Sequence, residues 1–200
     1  MPKRTDTKKI LIIRIASLSI VATAFAAKPV MIQLKHNSER EQRTKAELER
    51  VLSTYDLRKY TFTNKVVIED GAIAHSFPEI TLNTRFLDSD DELLSSYIHE
   101  QLHWYLREHD AQQKAAIMEL RQMYPHVRVG LPEGADSEYS TYGHLVDCYL
   151  EIQADRELLG PKRTEQVIKD KPWYTWIYKT ILRDEQKISN VVDEHNLRIK

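Results

Sequence analysis

Two histidines four residues apart, His99 and His103, are the residues of this sequence best placed to do chemistry. On a helix, positions i and i+4 share a face, so both imidazoles can reach one tetrahedral metal ion. Glu100 directly follows the first histidine, where it can take a proton from a metal-activated water without binding the metal. The spacing therefore predicts one bound Zn²⁺, with His99 and His103 as ligands and Glu100 as the general base.

A catalytic zinc takes three protein ligands and leaves its fourth position to water, so a third donor is needed. The helix expected over residues 142–159 can supply it, because its polar side chains form one stripe on an otherwise apolar surface. At 100° per residue, four side chains lie within about 60° of His144: they are Asp147, Cys148, Glu151 and Asp155. Buried carboxylates are costly unless paired or metal-bound, so the two polar stripes are predicted to face each other across one ion.

The third ligand is either His144 or Glu151. The two residues are seven positions apart, about 10.5 Å along a helix axis, so they are not expected to bind the same ion. If His144 binds, the site has three histidines and Glu151 supports one of them. Cys148 is the only cysteine, which excludes an internal disulfide, and a lone helical cysteine is typically a small packed residue.

The two motifs together resemble those of the gluzincins, the thermolysin-like zinc peptidases and their relatives. In that family a His-Glu-x-x-His helix is completed by a Glu-x-x-x-Asp motif on a later helix, and residues 151–155 match the second motif. The resemblance implies that Glu151 is the third ligand and that Asp155 hydrogen-bonds the distal nitrogen of a ligand histidine. It also implies that His144 lies near the substrate and donates to the developing oxyanion. Leu150 stands where the thermolysin-like enzymes usually have an asparagine.

The expected function is that of a zinc metallopeptidase acting on a peptide or protein substrate. Tyr139 and Tyr142 are further choices for the oxyanion donor. Two other classes stay open: a zinc module without catalysis, closed by a fourth ligand such as Cys148, and a metal-free helical binding protein. Within the enzyme class, amidase or deformylase-like chemistry on a small substrate is also compatible with these residues. Because 29 Lys and Arg balance 30 Asp and Glu, no nucleic-acid partner is expected.

The elements that position these residues form an α+β pattern. Helices are predicted over 37–57, 88–106, 110–123, 142–159 and, in the tail, 173–197. Strands are predicted over 65–68, followed by a turn at Asp70-Gly71, and over 79–86. Pro78 suits an edge strand, which could bind an extended substrate by backbone pairing. The fold expected is a small N-terminal sheet, with an edge strand before the catalytic helix, and a predominantly helical C-terminal part.

The first 26 residues differ from the rest. A basic start precedes an apolar run over 10–21, broken only by Arg14, and then Ala24-Phe25-Ala26. This order is typical of a signal peptide cleaved after Ala26; the alternatives are an uncleaved membrane anchor and an amphipathic N-terminal helix of a cytosolic protein. The sequence thus predicts export to the periplasm or the medium, with residues 27–200 as one domain. The membrane is expected to be a partner only through the N-terminal segment.

Overall fold

The computed structural model describes residues 29–200, and their fold is α+β, as predicted. Three short parallel strands form one sheet in the order β1 (Met31–Leu34), β2 (Lys65–Ile68) and β3 (Ile80–Leu82). The predicted signal peptide or anchor over residues 1–26 lies outside the described residues. Among residues 29–200, no helix combines the length and the apolar character that a membrane crossing requires.

Seven α-helices make up most of the described residues. They are α1 (Glu39–Thr54), α2 (Asp90–Glu108), α3 (Asp110–Met123), α4 (Glu138–Leu159), α5 (Pro161–Asp170), α6 (Thr175–Arg183) and α7 (Glu185–Glu194). A 3₁₀ turn, Arg58–Tyr60, leads into β2. The predictions for α1, α2 and α4 are confirmed to within four residues at each end, and α3 has the predicted bounds.

The sequence did not predict β1 or α5. β1, with the sequence Met-Ile-Gln-Leu, lacks the run of β-branched residues that marks β2, Lys-Val-Val-Ile. Gly160, with a φ of +80°, ends α4, and Pro161 then starts α5. Proline is tolerated at the first helical position, where its missing N–H is not needed, so the Gly-Pro pair is a junction between two helices. The predicted tail helix is likewise two helices that meet at Asp184.

Helix α4 runs through the centre of the molecule. Every residue from Thr141 to Ile152 is buried, since α2, α3, α5, α6 and α7 all pack against this helix. Its closest packing is with α2, whose apolar residues Leu94, Ile98 and Leu102 are fully buried. Burial of this kind contributes about 25 cal/mol per Å² of apolar surface, which fixes the spacing and rotation of the two helices. The polar stripes of α2 and α4 are therefore held against each other inside the fold.

Candidate metal centre

Four side chains on α2 and α4 converge where the two helices pack. His99 and His103 come from α2, and His144 and Asp147 come from α4; one ligand atom from each lies within 4.8 Å of the others. The ring centroids of the imidazoles are 4.9 Å apart for His99 and His103, and 5.2 Å apart for His103 and His144. His99 and His144 are separated by 5.6 Å. The predicted facing of the two polar stripes is confirmed.

Asp147 is fully buried and has no hydrogen-bond donor among the described residues. One of its oxygens, Oδ2, lies 3.0 Å from His99 Nδ1 and 3.7 Å from His103 Nε2, but neither contact has hydrogen-bond geometry. Burial raises the pKa of this carboxyl to about 7. An unsatisfied buried carboxylate is costly, and a cation among these side chains would give it a partner. The cluster can therefore hold a metal ion.

The His144 imidazole is held in the tautomer that a metal requires. Its Nδ1 lies 2.7 Å from the backbone oxygen of Ser140, four residues earlier, to which it can donate. A proton held on Nδ1 leaves the Nε2 lone pair available, which is a common arrangement of metal-binding histidines. Burial, reinforced by His99, lowers the pKa of His144 to about 4. Burial also holds the pKa of His103 well below its ordinary value, so both rings are neutral.

His99 is the cationic member of the cluster when no metal is bound. Burial opposes a charge on this ring, but Asp147, together with Cys148 and Glu151, outweighs it and holds the pKa of His99 well above its ordinary value. The nearest carboxylate oxygen is Oε2 of Glu151, 2.9 Å from Nδ1. A metal would replace one of the two protons of the cationic ring, because a ligand imidazole must be neutral.

Glu151, the third ligand implied by the gluzincin resemblance, is already engaged by four groups. Its Oε1 lies 2.6 Å from Lys171 Nζ and accepts a hydrogen bond of 2.7 Å from Ser95 Oγ. Its Oε2 accepts one of 2.8 Å from the Tyr178 hydroxyl and lies beside His99 Nδ1. Burial opposes its charge, but Lys171 and His99 outweigh burial and lower the pKa of Glu151. Its carboxylate forms a second possible ligand group with His99 and Cys148, which does not include His103.

Asp155 lies one turn further along α4 and contacts Ser95 rather than a histidine. Its Oδ2 lies 2.7 Å from Ser95 Oγ, whose single proton it shares with Glu151 Oε1, and its Oδ1 has no partner among the described residues. Burial, with Glu151 adding to it, raises the pKa of Asp155 to about 7. The gluzincin resemblance implies that Asp155 supports a ligand histidine. In this structure the carboxylate beside the Nδ1 of His99 is that of Glu151.

Glu100, the expected general base, is buried next to the cluster and is 5% exposed. Its Oε2 accepts a hydrogen bond of 2.5 Å from Ser76 Oγ. Burial raises the pKa of Glu100, against the opposing effects of His99 and Ser76. Cys148 is also buried, which raises the pKa of its thiol to about 11 and disfavours the thiolate that zinc would need.

A cavity of about 280 Å³ adjoins Glu100 and His99. Its walls come mainly from the segments that follow β2 and β3, from α2, and from the segment between α5 and α6. The lining residues are Ile73, Ala74, Asn83, Arg85, Phe86, Ser96, His99, Glu100, Leu131, Lys171, Pro172, Trp173, Tyr174 and Tyr178. Neither Tyr139 nor Tyr142 lines the cavity: Tyr139 is 54% exposed, and the Tyr142 hydroxyl donates to the backbone oxygen of Tyr124 at 2.6 Å.

Sequence reasoning missed the contribution of residues 171–174 to this site. Tyr174 has a φ of +58°, in the left-handed region that costs a non-glycine residue about 1 kcal/mol or more. This backbone conformation brings its ring within 4.5 Å of His144 and 6.0 Å of His99, measured between centroids. Burial raises the pKa of Tyr174 to about 12, so its hydroxyl keeps its proton. No spacing rule marks Lys-Pro-Trp-Tyr in the sequence.

Comparisons with protein-family models, with curated proteins and with solved structures found no match to this chain. The gluzincin resemblance therefore stays a prediction carried by the two motifs. The function proposed below therefore depends on the chemistry of the cluster and its surroundings.

Proposed function

We propose that this protein is a zinc-dependent hydrolase that cleaves an amide bond, with the ion bound by His99, His103 and His144. One observation carries this proposal: three imidazoles and an unpartnered buried carboxylate converge beside Glu100, which lines a cavity. Neutral histidine nitrogens suit zinc, and Asp147 offsets part of the ionic charge. The cavity would give a substrate access to His99 and Glu100.

The contacts of Glu151 favour His144 over Glu151 as the third ligand. Binding through Glu151 would compete with its ion pair to Lys171 and its hydrogen bonds from Ser95 and Tyr178. His144 has no such competing contact at Nε2 and is already oriented through Nδ1. Glu151 then acts on His99 from outside the ligand set, as a carboxylate that accepts from Nδ1 and fixes the ring.

The bound zinc would lower the pKa of a water molecule and polarise the scissile carbonyl. Glu100 takes the proton of the attacking water and passes it to the leaving amine. Its burial raises its pKa, which makes the carboxylate a stronger base for that proton. Tyr174 replaces Tyr139 and Tyr142 as the tyrosine placed to donate to the carbonyl oxygen, because it lines the same cavity and stays protonated.

The test measures metal content and turnover for the full chain, two test variants and one control variant. We expect about one zinc per wild-type chain and cleavage of members of a blocked-peptide and acyl-amide library. Glu100→Gln should keep the zinc and lose about 10²-fold to 10⁴-fold in kcat. Tyr174→Phe should lose a smaller factor, about 10²-fold. Glu108→Gln, an exposed glutamate at the end of α2, is the matched control and should match the wild type. Undiminished activity in Glu100→Gln would remove Glu100 from the reaction.

A second candidate is a zinc site without catalysis, because Asp147 could serve as a fourth protein ligand and close the site. Asp147 is the only carboxylate residue of the four-residue group. Cobalt substitution distinguishes the two cases. In an open site, added azide would enter the coordination sphere and change the visible absorption. In a closed site the spectrum would stay the same, and the hydrolase proposal would fail.

A further inference from the structure

Exposed apolar side chains surround the mouth of the cavity beside Glu100. Ile73, Leu131 and Trp173 all line it, with exposed fractions of 82%, 50% and 39%. Phe86 and Pro172 contribute further apolar surface. Large apolar side chains at the rim of a concave site are typical of a ligand-binding surface, because leaving them in water has a cost that a ligand removes. The group that enters this cavity is therefore apolar.

The volume limits the group to about one large side chain. An engineered apolar cavity of about 150 Å³ holds one benzene ring, and pockets for drug-sized ligands begin at about 300 Å³. At about 280 Å³, this cavity fits a phenyl or branched aliphatic side chain together with the amide that carries it. It does not fit several residues of a peptide.

The outer edge of β3 offers little room for an extended peptide. Thr81 and His75 form two backbone hydrogen bonds on the side of β3 that faces away from β2. The His75 N–H donates to the Thr81 oxygen at 3.1 Å, and the Thr81 N–H donates to the His75 oxygen at 2.7 Å. These backbone groups are the ones that a substrate strand would need for pairing at this position. The closed edge and the small cavity both favour a short substrate.

Arg85 gives the cavity a cation. It is exposed, and its guanidinium lies over the ring of Trp173, 5.2 Å from the centroid. Within residues 29–200 it forms no ion pair with a carboxylate, whereas Lys171, the other cation of the lining, is neutralised by Glu151. The planar guanidinium matches a carboxylate in two-point geometry. An anionic group of the substrate is therefore expected near the cavity mouth, where Arg85 lies.

On the basis of the hydrolase function above, we propose that the substrate is an acylated apolar amino acid with a free carboxylate. The apolar side chain fills the cavity, the carboxylate pairs with Arg85, and the amide lies by Glu100. Hydrolysis breaks the C–N bond; the hydroxyl of water goes to the carbonyl carbon and its proton goes to the nitrogen. The products are a carboxylic acid and a free apolar amino acid. An N-acyl amino acid and the C-terminal residue of a short peptide both have this chemistry.

The test measures binding without turnover, in the full-length, zinc-loaded Glu100→Gln chain. Calorimetry would compare N-acetyl-phenylalanine with its carboxamide, which lacks the charge, and with N-acetyl-alanine, which lacks the ring. We expect the first ligand to bind at least about tenfold more tightly than either of the others. Adding Arg85→Gln should abolish the preference for acid over carboxamide. Adding Arg107→Gln instead should leave it intact, since Arg107 is an exposed arginine over Phe77 and Trp104, outside the cavity.

Equal affinities for the acid and the carboxamide would overturn the proposal. So would an acid preference that survives Arg85→Gln, because the carboxylate would then be bound by the metal. Failure of the hydrolase function looks different: the wild type would cleave nothing while the ligand selectivity persisted. If the wild type does cleave, its rates with N-acetyl-phenylalanine and with Gly-Gly-Phe would show whether an N-acyl amino acid or a short peptide is the better substrate.

Discussion

Replacing His144 and Glu151 separately tests which of them is the third ligand. The apparent free energy of zinc binding to a four-ligand protein site is about 10–16 kcal/mol, or roughly 3 kcal/mol per ligand. His144→Ala should therefore weaken zinc binding by more than about 100-fold. His144 contacts only Ser140 through its hydrogen bonds, so the metal-free variant should lose little stability beyond a small cavity.

Glu151→Gln should have a smaller effect on zinc binding than His144→Ala and a larger effect on the stability of the metal-free protein. It removes the negative charge beside His99 Nδ1, and losing such a supporting carboxylate costs about 10-fold to 100-fold in metal affinity. It also leaves the Lys171 ammonium, whose side chain is 14% exposed, without its counter-ion. Breaking a buried pair in this way costs about 3–5 kcal/mol. The metal-free variant should therefore unfold at a clearly lower urea concentration than the metal-free wild type.

The assay combines competition with a zinc-selective chelator dye and urea unfolding of the metal-free proteins. His126→Ala is the control, because His126 is an exposed histidine outside the cluster, and it should change neither quantity. If Glu151→Gln lost more zinc affinity than His144→Ala, the choice of His144 would be refuted. Glu151 would then be the ligand, as the gluzincin resemblance implies.

Two further predictions concern stability. Lys171→Met should destabilise the fold by up to about 3–5 kcal/mol, because it leaves the buried carboxylate of Glu151 with His99 as its one remaining cationic neighbour among the described residues. Lys169→Met, at an exposed position, should be neutral in the same urea titration, and equal midpoints for the two variants would contradict the buried ion pair. The second prediction is a pH dependence of the metal-free fold between about pH 4 and 6.5. The pKa values of Asp147 and Asp155, both raised to about 7, make the fold less stable as the pH rises, whereas the lowered pKa values of His103 and His144 make it more stable, so the two effects oppose each other. His99, whose pKa is raised, is protonated in both states up to about pH 5.5 and adds no slope below that pH. Asp147→Asn removes one of the two falling contributions, so the free energy of unfolding of this variant should rise with pH relative to that of the wild type; an unchanged pH dependence would contradict the pKa assigned to Asp147.

The polar residues of the site could be predicted from the sequence because helical periodicity is strong in both helices that carry them. The i and i+4 spacing of His99 and His103, and the stripe from His144 to Asp155, follow from helix geometry alone. Rotation of α4 against α2 is different, since it depends on how the apolar faces pack. A shift of α4 by one turn along α2 decides whether Asp147 or Glu151 lies near both His99 and His103, and no pattern in the sequence fixes that shift.

The remainder of the site could not be predicted, because it depends on tertiary contacts between distant segments. Lys171 and Tyr178 reach Glu151 from beyond α5, and Ser76 reaches Glu100 from the segment before β3. None of these residues has a characteristic spacing to its partner. The parallel arrangement of β2 and β3 was equally hidden, since the Asp70-Gly71 turn alone gives no strand direction.

The residues that would bind the metal and the residues that line most of the cavity belong to different parts of the chain. The former lie on α2 and α4, whose other faces are core, so few of their neighbours can change without loss of the fold. Most of the cavity wall comes from residues 73–74, 83–86, 131 and 171–174, which lie outside helices and strands. Selectivity could therefore diverge among descendants of this protein through changes in these connecting segments, while the reaction chemistry was inherited unaltered.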